Sequence, residues 1–112
     1  MRFDRELLKG NTATIVLAIL AEGPLHGYQI AKEMRARSDD SLTLGQGVLY
    51  PILHRLEDRG LIAGAWEPST GTPSRKRYAI TPQGQAELRA KRREWKAFAK
   101  AMASVLEPAA ER

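Results

Sequence analysis

Apolar residues at helical spacing mark the first long regular element of the chain. The apolar positions that fall on one side of this helix are Ile15, Val16, Ile19 and Leu20. Asn11 or Thr12 can cap its start, because their side-chain oxygens accept hydrogen bonds from unsatisfied backbone N–H groups. Gly23 supplies the backbone conformation of a helix C-terminus, and Pro24 cannot continue the hydrogen-bond ladder. The pattern therefore predicts a helix between these two signals.

Two further helices follow. The first covers about Gly27–Arg37, and its apolar contacts are Tyr28, Ile30, Ala31 and Met34. The second covers about Gln46–Arg59 and ends at Gly60, and its buried face at i, i+3, i+4, i+7 spacing is Leu49, Ile52, Leu53 and Leu56. Pro51 removes a backbone hydrogen bond unless it falls in the first turn, so we expect the regular helix to start nearer to Val48.

The chain then changes from helical spacing to two short segments typical of strands. Leu61–Trp66 and Arg75–Ile80 flank residues 68–73, which are rich in proline, glycine and hydroxyl side chains. Such a composition favours a loop over a helix or a strand. We therefore predict a β-hairpin.

Thr81 and Pro82 mark the start of the last helix, because a hydroxyl N-cap precedes proline at the first helical position, where a missing N–H costs nothing. The helix is predicted to end near Leu106 and to span about 37 Å, which is too long for so small a domain to cover. Its apolar residues repeat at heptad spacing, so one stripe needs an apolar partner, and a second copy of the chain is the natural candidate. The N-terminal segment is expected to cover part of the same interface. The residues assigned to this homodimer interface are Phe3, Leu7, Leu8, Leu88, Trp95, Phe98, Ala99, Met102, Val105 and Leu106.

The order of these elements, helix, helix, helix, strand, loop and strand, is that of a winged helix-turn-helix. We therefore predict a mainly α fold with a small β-hairpin, in which a winged helix-turn-helix is followed by a long C-terminal dimerisation helix. Residues 1–81 are assigned to the N-terminal helix and the winged helix-turn-helix. Residues 82–112 are assigned to the dimerisation helix and its tail.

Composition narrows the classes of function. The chain has 112 residues and a formal net charge of +5, with a pI near 9.9, which suits a polyanionic partner without naming one. It contains no cysteine, so disulfides and thiolate zinc sites are excluded and a reducing compartment fits. The most apolar stretch, Ala13–Ala21, is much shorter than the roughly 20 residues needed to cross a bilayer. We expect a cytoplasmic protein without a membrane segment.

The helix predicted at Gln46–Arg59 and the hairpin contain the candidate functional residues. In a winged helix-turn-helix, one short helix enters the major groove of DNA and the hairpin contacts the neighbouring backbone. Glycines near the start of that helix let backbone N–H groups approach phosphates closely. On the basic return strand, alternation places Arg75 and Arg77 on one face and Lys76 on the other, so the two arginines are favoured as phosphate contacts. The residues predicted to contact duplex DNA are Gly45, Gln46, Gly47, Tyr50, Pro51, His54, Arg55, Arg75, Lys76 and Arg77.

Four segments together resemble the PadR-type transcriptional regulators. They are Leu25–Ile30, Gly47–Glu57, Gly60–Ile62 and Arg77–Gly84. The similarity covers nearly the whole chain from Thr12 onward, and the segments occur in the order typical of the family. The resemblance implies a DNA-binding dimer that is usually a repressor, and the single long C-terminal helix is similar to that of the shorter PadR subfamily. Two-fold symmetry then implies a palindromic operator.

Some of these side chains also have simpler structural explanations. Tyr50 can merely cover the edge of the domain, and Trp95 can be an interface anchor, as large aromatic residues on a dimer seam usually are. The resemblance implies instead that a small planar aromatic effector binds between the C-terminal helices of the two subunits. Trp95, Phe98 and Met102 would then line its pocket.

A DNA-binding regulator competes with two other classes of function. An enzyme is disfavoured, because the sequence contains no nucleophile with a paired base, no metal-ligand cluster around His26 or His54, and no glycine-rich phosphate loop. We therefore expect no catalytic residue, no metal and no cofactor. A winged-helix module that docks proteins without specific DNA binding would be expected to lose the cationic wing, so residues 75–77 favour DNA.

Overall fold

The computed structural model describes residues 3–68 and 75–109. Its elements in chain order are α1 (Arg5–Lys9), α2 (Thr12–Leu20), β1 (Leu25–His26), α3 (Gly27–Arg37), α4 (Gln46–Asp58), β2 (Ile62–Glu67), β3 (Arg75–Ile80) and α5 (Pro82–Leu106). This part of the chain is mostly helical with a small antiparallel sheet, which confirms the predicted fold class. Except for Pro68, the loop predicted at residues 68–73 lies outside the described residues.

The sheet has three strands in the order β1-β3-β2, whereas the sequence predicts only the hairpin. β2 and β3 pair antiparallel along their whole length, as expected. The additional strand, β1, places Leu25 opposite Tyr78 and His26 opposite Arg77. Two residues are too few for alternation to reveal a strand, so only this long-range pairing defines it.

One hydrophobic core lies among α2, α3, α4, the sheet and the start of α5. Its largest fully buried side chains are Val16, Leu17, Leu20, Ile30, Leu49, Leu53, Leu56 and Ile62. Thr12 is also buried, and its hydroxyl donates a hydrogen bond to the carbonyl of Leu8 at 2.9 Å, which connects α1 to α2 without leaving a buried polar atom unpaired. Tyr28, which the helical pattern assigns to the apolar contacts of α3, is 43% exposed instead.

α4 begins at Gln46, earlier than the expected start near Val48, and contains Pro51 in its interior. The Gly45 carbonyl accepts the first hydrogen bonds of the helix, including one from the Leu49 backbone N–H at 3.0 Å. Proline cannot donate the hydrogen bond that would otherwise reach the carbonyl four residues earlier. The residue at position 47 that carries this carbonyl is exposed, so a water molecule can donate a hydrogen bond to the carbonyl in place of the missing N–H group. The helix therefore tolerates the proline.

The start of α5 is fixed against the sheet. The Thr81 hydroxyl oxygen accepts a hydrogen bond from the Gly84 backbone N–H at 3.0 Å and donates one to the Gly60 carbonyl at 2.7 Å. A Cβ atom at Gly84 would lie 2.0 Å from the carbonyl oxygen of Leu61. The absence of a side chain there therefore allows α5 to pack directly on the backbone that enters β2. The predicted cap at Thr81 and the helix end at Leu106 are both confirmed.

Leu88 differs from the expectation that placed it on the dimer seam. It is 2% exposed and belongs to the core of the subunit itself. The heptad count groups it with Trp95 and Met102, but the first turns of α5 pack back onto the domain before the helix extends beyond it. None of the helices described is both long and apolar enough to cross a membrane.

Candidate nucleic-acid interface

The outer face of α4 presents all the residues that the sequence assigns to DNA contact on this helix. Its buried positions are Leu49, Ile52, Leu53 and Leu56, and the helical period turns the remaining positions outward. All of the candidate residues are exposed, as are Val48 and Asp58; the candidates are Gly45, Gln46, Gly47, Tyr50, Pro51, His54 and Arg55. These residues divide between two depressions of the surface. Tyr50 and His54 line the one that faces β3, whereas Gly45, Pro51 and Arg55 line the one that faces α1.

Tyr50 is held at this surface by a close approach to α3. A Cβ atom at Gly27 would lie 2.7 Å from the Tyr50 hydroxyl oxygen and 2.9 Å from a carbon of its ring. These distances are too short for any side chain at position 27 unless the ring moves. Tyr50 remains 43% exposed, so its contact with Gly27 leaves part of the side chain available to solvent.

Arg75 lies on the exposed side of β3 and contacts an aromatic residue of α3. Its guanidinium donates a hydrogen bond to the Tyr28 hydroxyl at 3.2 Å and lies 5.4 Å from the centre of the ring. Sequence reasoning missed Tyr28 as a member of this surface, because helical spacing alone assigns it to the core. Its position directly after the N-terminus of α3, close to the wing in space, is the signal that only the fold supplies.

Arg77 is paired within the wing, the hairpin of β2 and β3, close to the end of the strands that leads into the loop. Its guanidinium donates a hydrogen bond to Glu67, and the other carboxylate oxygen of Glu67 lies 3.1 Å from Nε2 of His26. The hydrogen bond that Glu67 accepts from Arg77, and then the one that it accepts from His26, hold the pKa of Glu67 below its usual value. The buried His26 also donates a backbone hydrogen bond to the Gln29 side chain at 2.8 Å. Arg77 therefore already has a carboxylate partner, unlike Arg75 among the described contacts.

Lys76 points to the opposite face of β3, as alternation predicts. Its Nζ donates a hydrogen bond to Glu57 Oε1 at 2.8 Å, and it lies 5.8 Å from the ring centre of Trp66 and 5.6 Å from that of Tyr78. The hydrogen bond from Lys76 is the main cause of the lowered pKa of Glu57, and the same bond raises the pKa of Lys76. The Lys76 side chain is only 26% exposed. Its ammonium therefore faces α4 rather than open solvent.

A groove of about 570 Å³ separates α4 from the wing. Its walls include Tyr28, Tyr50, His54, Trp66 and Arg75. Aromatic rings and cations therefore line the space between the two elements that a winged helix-turn-helix uses to contact DNA. In residues 3–68 and 75–109, no group of three or more histidine, cysteine, aspartate or glutamate side chains could hold a metal ion.

The residues assigned to the dimer interface lie mainly at the surface of the single chain. Those with exposed apolar side chains are Phe3, Leu7, Trp95, Phe98, Met102, Val105 and Leu106. Leu8 and Ala99 are half-buried. Trp95 and Phe98 are 53% and 58% exposed. The second half of α5 thus carries an apolar stripe that the described part of its own chain does not cover.

Comparisons with known proteins agree with this architecture. The model of the transcriptional regulator PadR-like family matches residues 16–90. The transcriptional regulator Rv3488 of Mycobacterium tuberculosis is 33% identical over 89 residues, which cover 80% of this chain and 79% of that protein. The structure of a transcriptional regulator from Clostridium thermocellum superimposes with a TM-score of 0.85 at 30% identity and covers 91% of this chain and 99% of its own. A PadR family regulator from Eggerthella lenta gives a TM-score of 0.81 at 32% identity, with 91% of this chain and 87% of its own covered. This chain belongs to the PadR-like family and is a transcriptional regulator, not an enzyme.

Proposed function

We propose that this regulator is a homodimer that binds a palindromic duplex operator through α4 and the wing and represses transcription from it. The observation that carries the proposal is the exposed face of α4, which lies beside a cationic β3 across an open groove. A short helix with small residues at its start fits the major groove, and wing cations fit the adjacent phosphates. Repression follows from the family and from the simplest consequence of occupying an operator.

The two arginines of the wing differ in their partners, and this difference predicts which of them binds a phosphate more readily. Arg75 contacts only a neutral tyrosine among the described side chains, whereas Arg77 is paired with Glu67. A phosphate can recruit Arg75 without breaking an ion pair, but it must compete with a carboxylate for Arg77. Replacement of Arg75 should therefore weaken DNA binding more than replacement of Arg77.

The proposed dimer uses the apolar stripe of α5. A row of exposed tryptophan, phenylalanine, methionine and valine side chains at heptad spacing is typical of a helix that packs against a partner. Two-fold symmetry would place the two α4 helices on half-sites about 10 bp apart, or a multiple of that distance, as the DNA helical repeat requires. Light scattering should give twice the single-chain mass of 12.5 kDa, and a monomer at micromolar concentration would contradict the dimer.

The operator can be found by sequencing the DNA fragments that the purified protein selects from its own genome. Affinity for the selected fragment is then measured over a range of salt concentrations for the wild type, Arg75→Met and Arg77→Met. Each lost phosphate contact should flatten the plot of log affinity against log salt by about one unit. Lys100→Met, an equal charge change on an exposed position of α5, is the matched control.

Two results would contradict the proposed function. Selection of no DNA at all would favour a module that docks proteins instead. Unchanged salt slopes in both arginine variants would exclude the wing as a phosphate anchor.

The proposal includes an effector. A small planar aromatic compound would bind between the two α5 helices near Trp95, Phe98 and Met102 and relieve repression. The support is the family resemblance together with the exposure of these three side chains in the single chain.

A further inference from the structure

We infer that Glu57 and Lys76 form a clamp that positions the wing against α4, so that Lys76 supports DNA binding through the fold rather than as a phosphate ligand. This inference rests on the proposed DNA-binding function. It assigns to Lys76 a role that differs from those of the two neighbouring arginines, although the three cations are consecutive in the sequence.

One carboxylate holds both strands of the wing. Glu57 lies in the last turn of α4, and its Oε1 accepts the hydrogen bond from Lys76 Nζ of β3 at 2.8 Å. Its other oxygen accepts a hydrogen bond from the Gly64 backbone N–H of β2 at 3.0 Å. Because the two bonds leave the same side chain toward different strands, they restrain the orientation of the hairpin relative to the helix.

The position of Gly64 shows that the strand accommodates this contact. In the strand register Lys76 lies opposite Trp66, and Gly64 lies opposite Tyr78. The Lys76 side chain therefore runs diagonally across β2 to reach Glu57. A Cβ atom at Gly64 would lie 2.3 Å from Cε of Lys76 and 3.2 Å from Oε2 of Glu57. The lysine reaches α4 because this position has no side chain.

Release of Lys76 to a phosphate would cost several contacts at once. Its ammonium would lose the charged hydrogen bond to Glu57 and its positions near the rings of Trp66 and Tyr78. The two ionised groups are 26% and 28% exposed, so a Glu57 carboxylate without Lys76 would remain partly desolvated. Arg75 on the other face of β3 would give up only its contacts with the neutral Tyr28 among the described side chains, and no ion pair.

The clamp and the alternative predict opposite signs for Glu57→Gln. Suppose that Lys76 is a phosphate ligand and that Glu57 only competes with the phosphate for it. Removal of the negative charge of Glu57 would then free the lysine and strengthen DNA binding. If the pair positions the wing, the same change should weaken binding about tenfold, as loss of one charge-assisted hydrogen bond does.

Asp58→Asn is the matched control for this experiment. Asp58 is adjacent on α4 and forms an exposed pair with His54 at 3.4 Å. Asp58→Asn also removes one carboxylate and leaves one basic side chain, His54, without that partner. It does not change the contacts of the wing. We expect affinity for the selected operator to be unchanged or higher. Binding by Glu57→Gln that is as tight as by Asp58→Asn would overturn the clamp.

A second variant tests the clamp without changing any charge. Gly64→Ala should displace the lysine side chain and weaken binding, whereas Gly10→Ala, where a Cβ atom meets nothing within 4 Å, should not. Lys76→Arg should retain most of the affinity, because arginine can still bond Glu57. Wild-type affinity for Gly64→Ala would contradict the inference.

Folding is checked by circular dichroism and thermal unfolding. If Glu57→Gln is unfolded at the assay temperature, the exchanged pair Glu57→Lys with Lys76→Glu replaces it. The reference is Lys76→Glu with Asp58→Lys, which carries the same net charge as the exchanged pair. Tighter binding by the exchanged pair than by this reference supports the clamp, and equal binding overturns it. Failure of the wild type to bind any DNA refutes the proposed function, which is a separate and recognisable outcome.

Discussion

Gly27 contributes to the candidate interface by what it lacks. The ring of Tyr50 occupies the space where a Cβ atom at Gly27 would lie, with its hydroxyl oxygen only 2.7 Å from that point. Sequence reasoning selected Tyr50 from its place on the outer face of the helix, but it could not identify Gly27 as the residue that sets the position of the ring. The two residues meet only when α3 and α4 cross.

Gly27→Ala should displace Tyr50 and weaken operator binding about fivefold, as expected for one lost hydrogen bond of a neutral group. Overpacking at this buried position should also lower the free energy of unfolding by about 1–3 kcal/mol. Affinity is measured by fluorescence anisotropy, with Gly10→Ala as control. If the effect acts through Tyr50, Gly27→Ala should add little in a Tyr50→Ala background. Additive losses would show that the glycine acts by another route.

Glu57 gives the stability of the protein a defined dependence on pH. The hydrogen bond from Lys76 lowers the pKa of Glu57 below its ordinary value of 4.5 in the folded chain. The unfolded chain therefore binds this proton more readily, and the stabilisation is present above about pH 4.5 and is lost as the pH falls through the lowered value. At alkaline pH, the hydrogen bond to Glu57 raises the pKa of Lys76 above its ordinary value of 10.5 in the folded chain. The stabilisation from the charged lysine is therefore lost only above that pH.

The melting temperature of Glu57→Gln should thus lie below that of the wild type at neutral pH. The difference should shrink as the pH is lowered below about 4.5, because the protonated glutamic acid of the wild type resembles the amide. Calorimetry at several pH values checks this. A difference that stays constant into the acid range would mean that the ion pair is not what the substitution removes.

Among the elements, those with long periodic patterns or strong caps were predictable from sequence. The bounds of α3 and α5 match the predicted ones. α5 has a clear start signal at Thr81 and Pro82, whereas α3 follows from its apolar spacing alone. The pattern of apolar residues did not predict α1 or β1. α1 has only five residues, and β1 exists because Leu25 and His26 pair with residues more than fifty positions later.

The candidate site divides in the same way. Exposure of the α4 residues follows from the helical period, which local sequence contains, and so does the alternation of Arg75, Lys76 and Arg77 along β3. The carboxylate partners of Lys76 and Arg77 do not follow from the local sequence. Glu57 reaches the wing across 19 positions of sequence, and such contacts depend on how α4 packs against the sheet.

α5 combines two functions in one helix, and substitutions should separate them. Leu88→Ala should lower the free energy of unfolding by about 2–5 kcal/mol, because this side chain is buried in the core of the subunit. Phe98→Ala should instead weaken the proposed dimer, because this side chain is exposed in the single chain. The dissociation constant of the dimer, measured by light scattering over a dilution series, should then be higher than that of the wild type. An equal dissociation constant would place Phe98 outside the interface.

At the scale of the whole molecule, the apolar stripe and the candidate DNA surface are mechanically connected. Only Thr81 separates the end of β3 from the start of α5, and its hydroxyl is hydrogen-bonded on both sides. Gly84 packs α5 against the backbone of Leu61. In the proposed dimer, a change in the angle between the two α5 helices would therefore move the two wings and the two α4 helices with them.

A planar aromatic effector should exploit this connection. Two Trp95 side chains related by the dimer axis could hold a flat ligand between them, with about 0.5–1.5 kcal/mol for each aromatic pair beyond the burial of area. Binding alone is not sufficient, since a ligand with equal affinity for both separations of the α4 helices would shift nothing. We expect compounds that quench Trp95 to lower operator affinity.

Tryptophan fluorescence must be assigned before this can be measured, because Trp66 is 68% exposed and lies in the groove beside the wing. Trp66→Phe keeps an aromatic ring near Lys76 and leaves Trp95 as the only tryptophan of the chain. Planar compounds are titrated into this variant, with Trp95→Phe in the native background as control, and operator affinity is measured at each ligand concentration. Quenching of Trp95 that leaves operator affinity unchanged for every compound would make Trp95 a packing residue of the dimer. Effector control would then have to be sought elsewhere in the molecule.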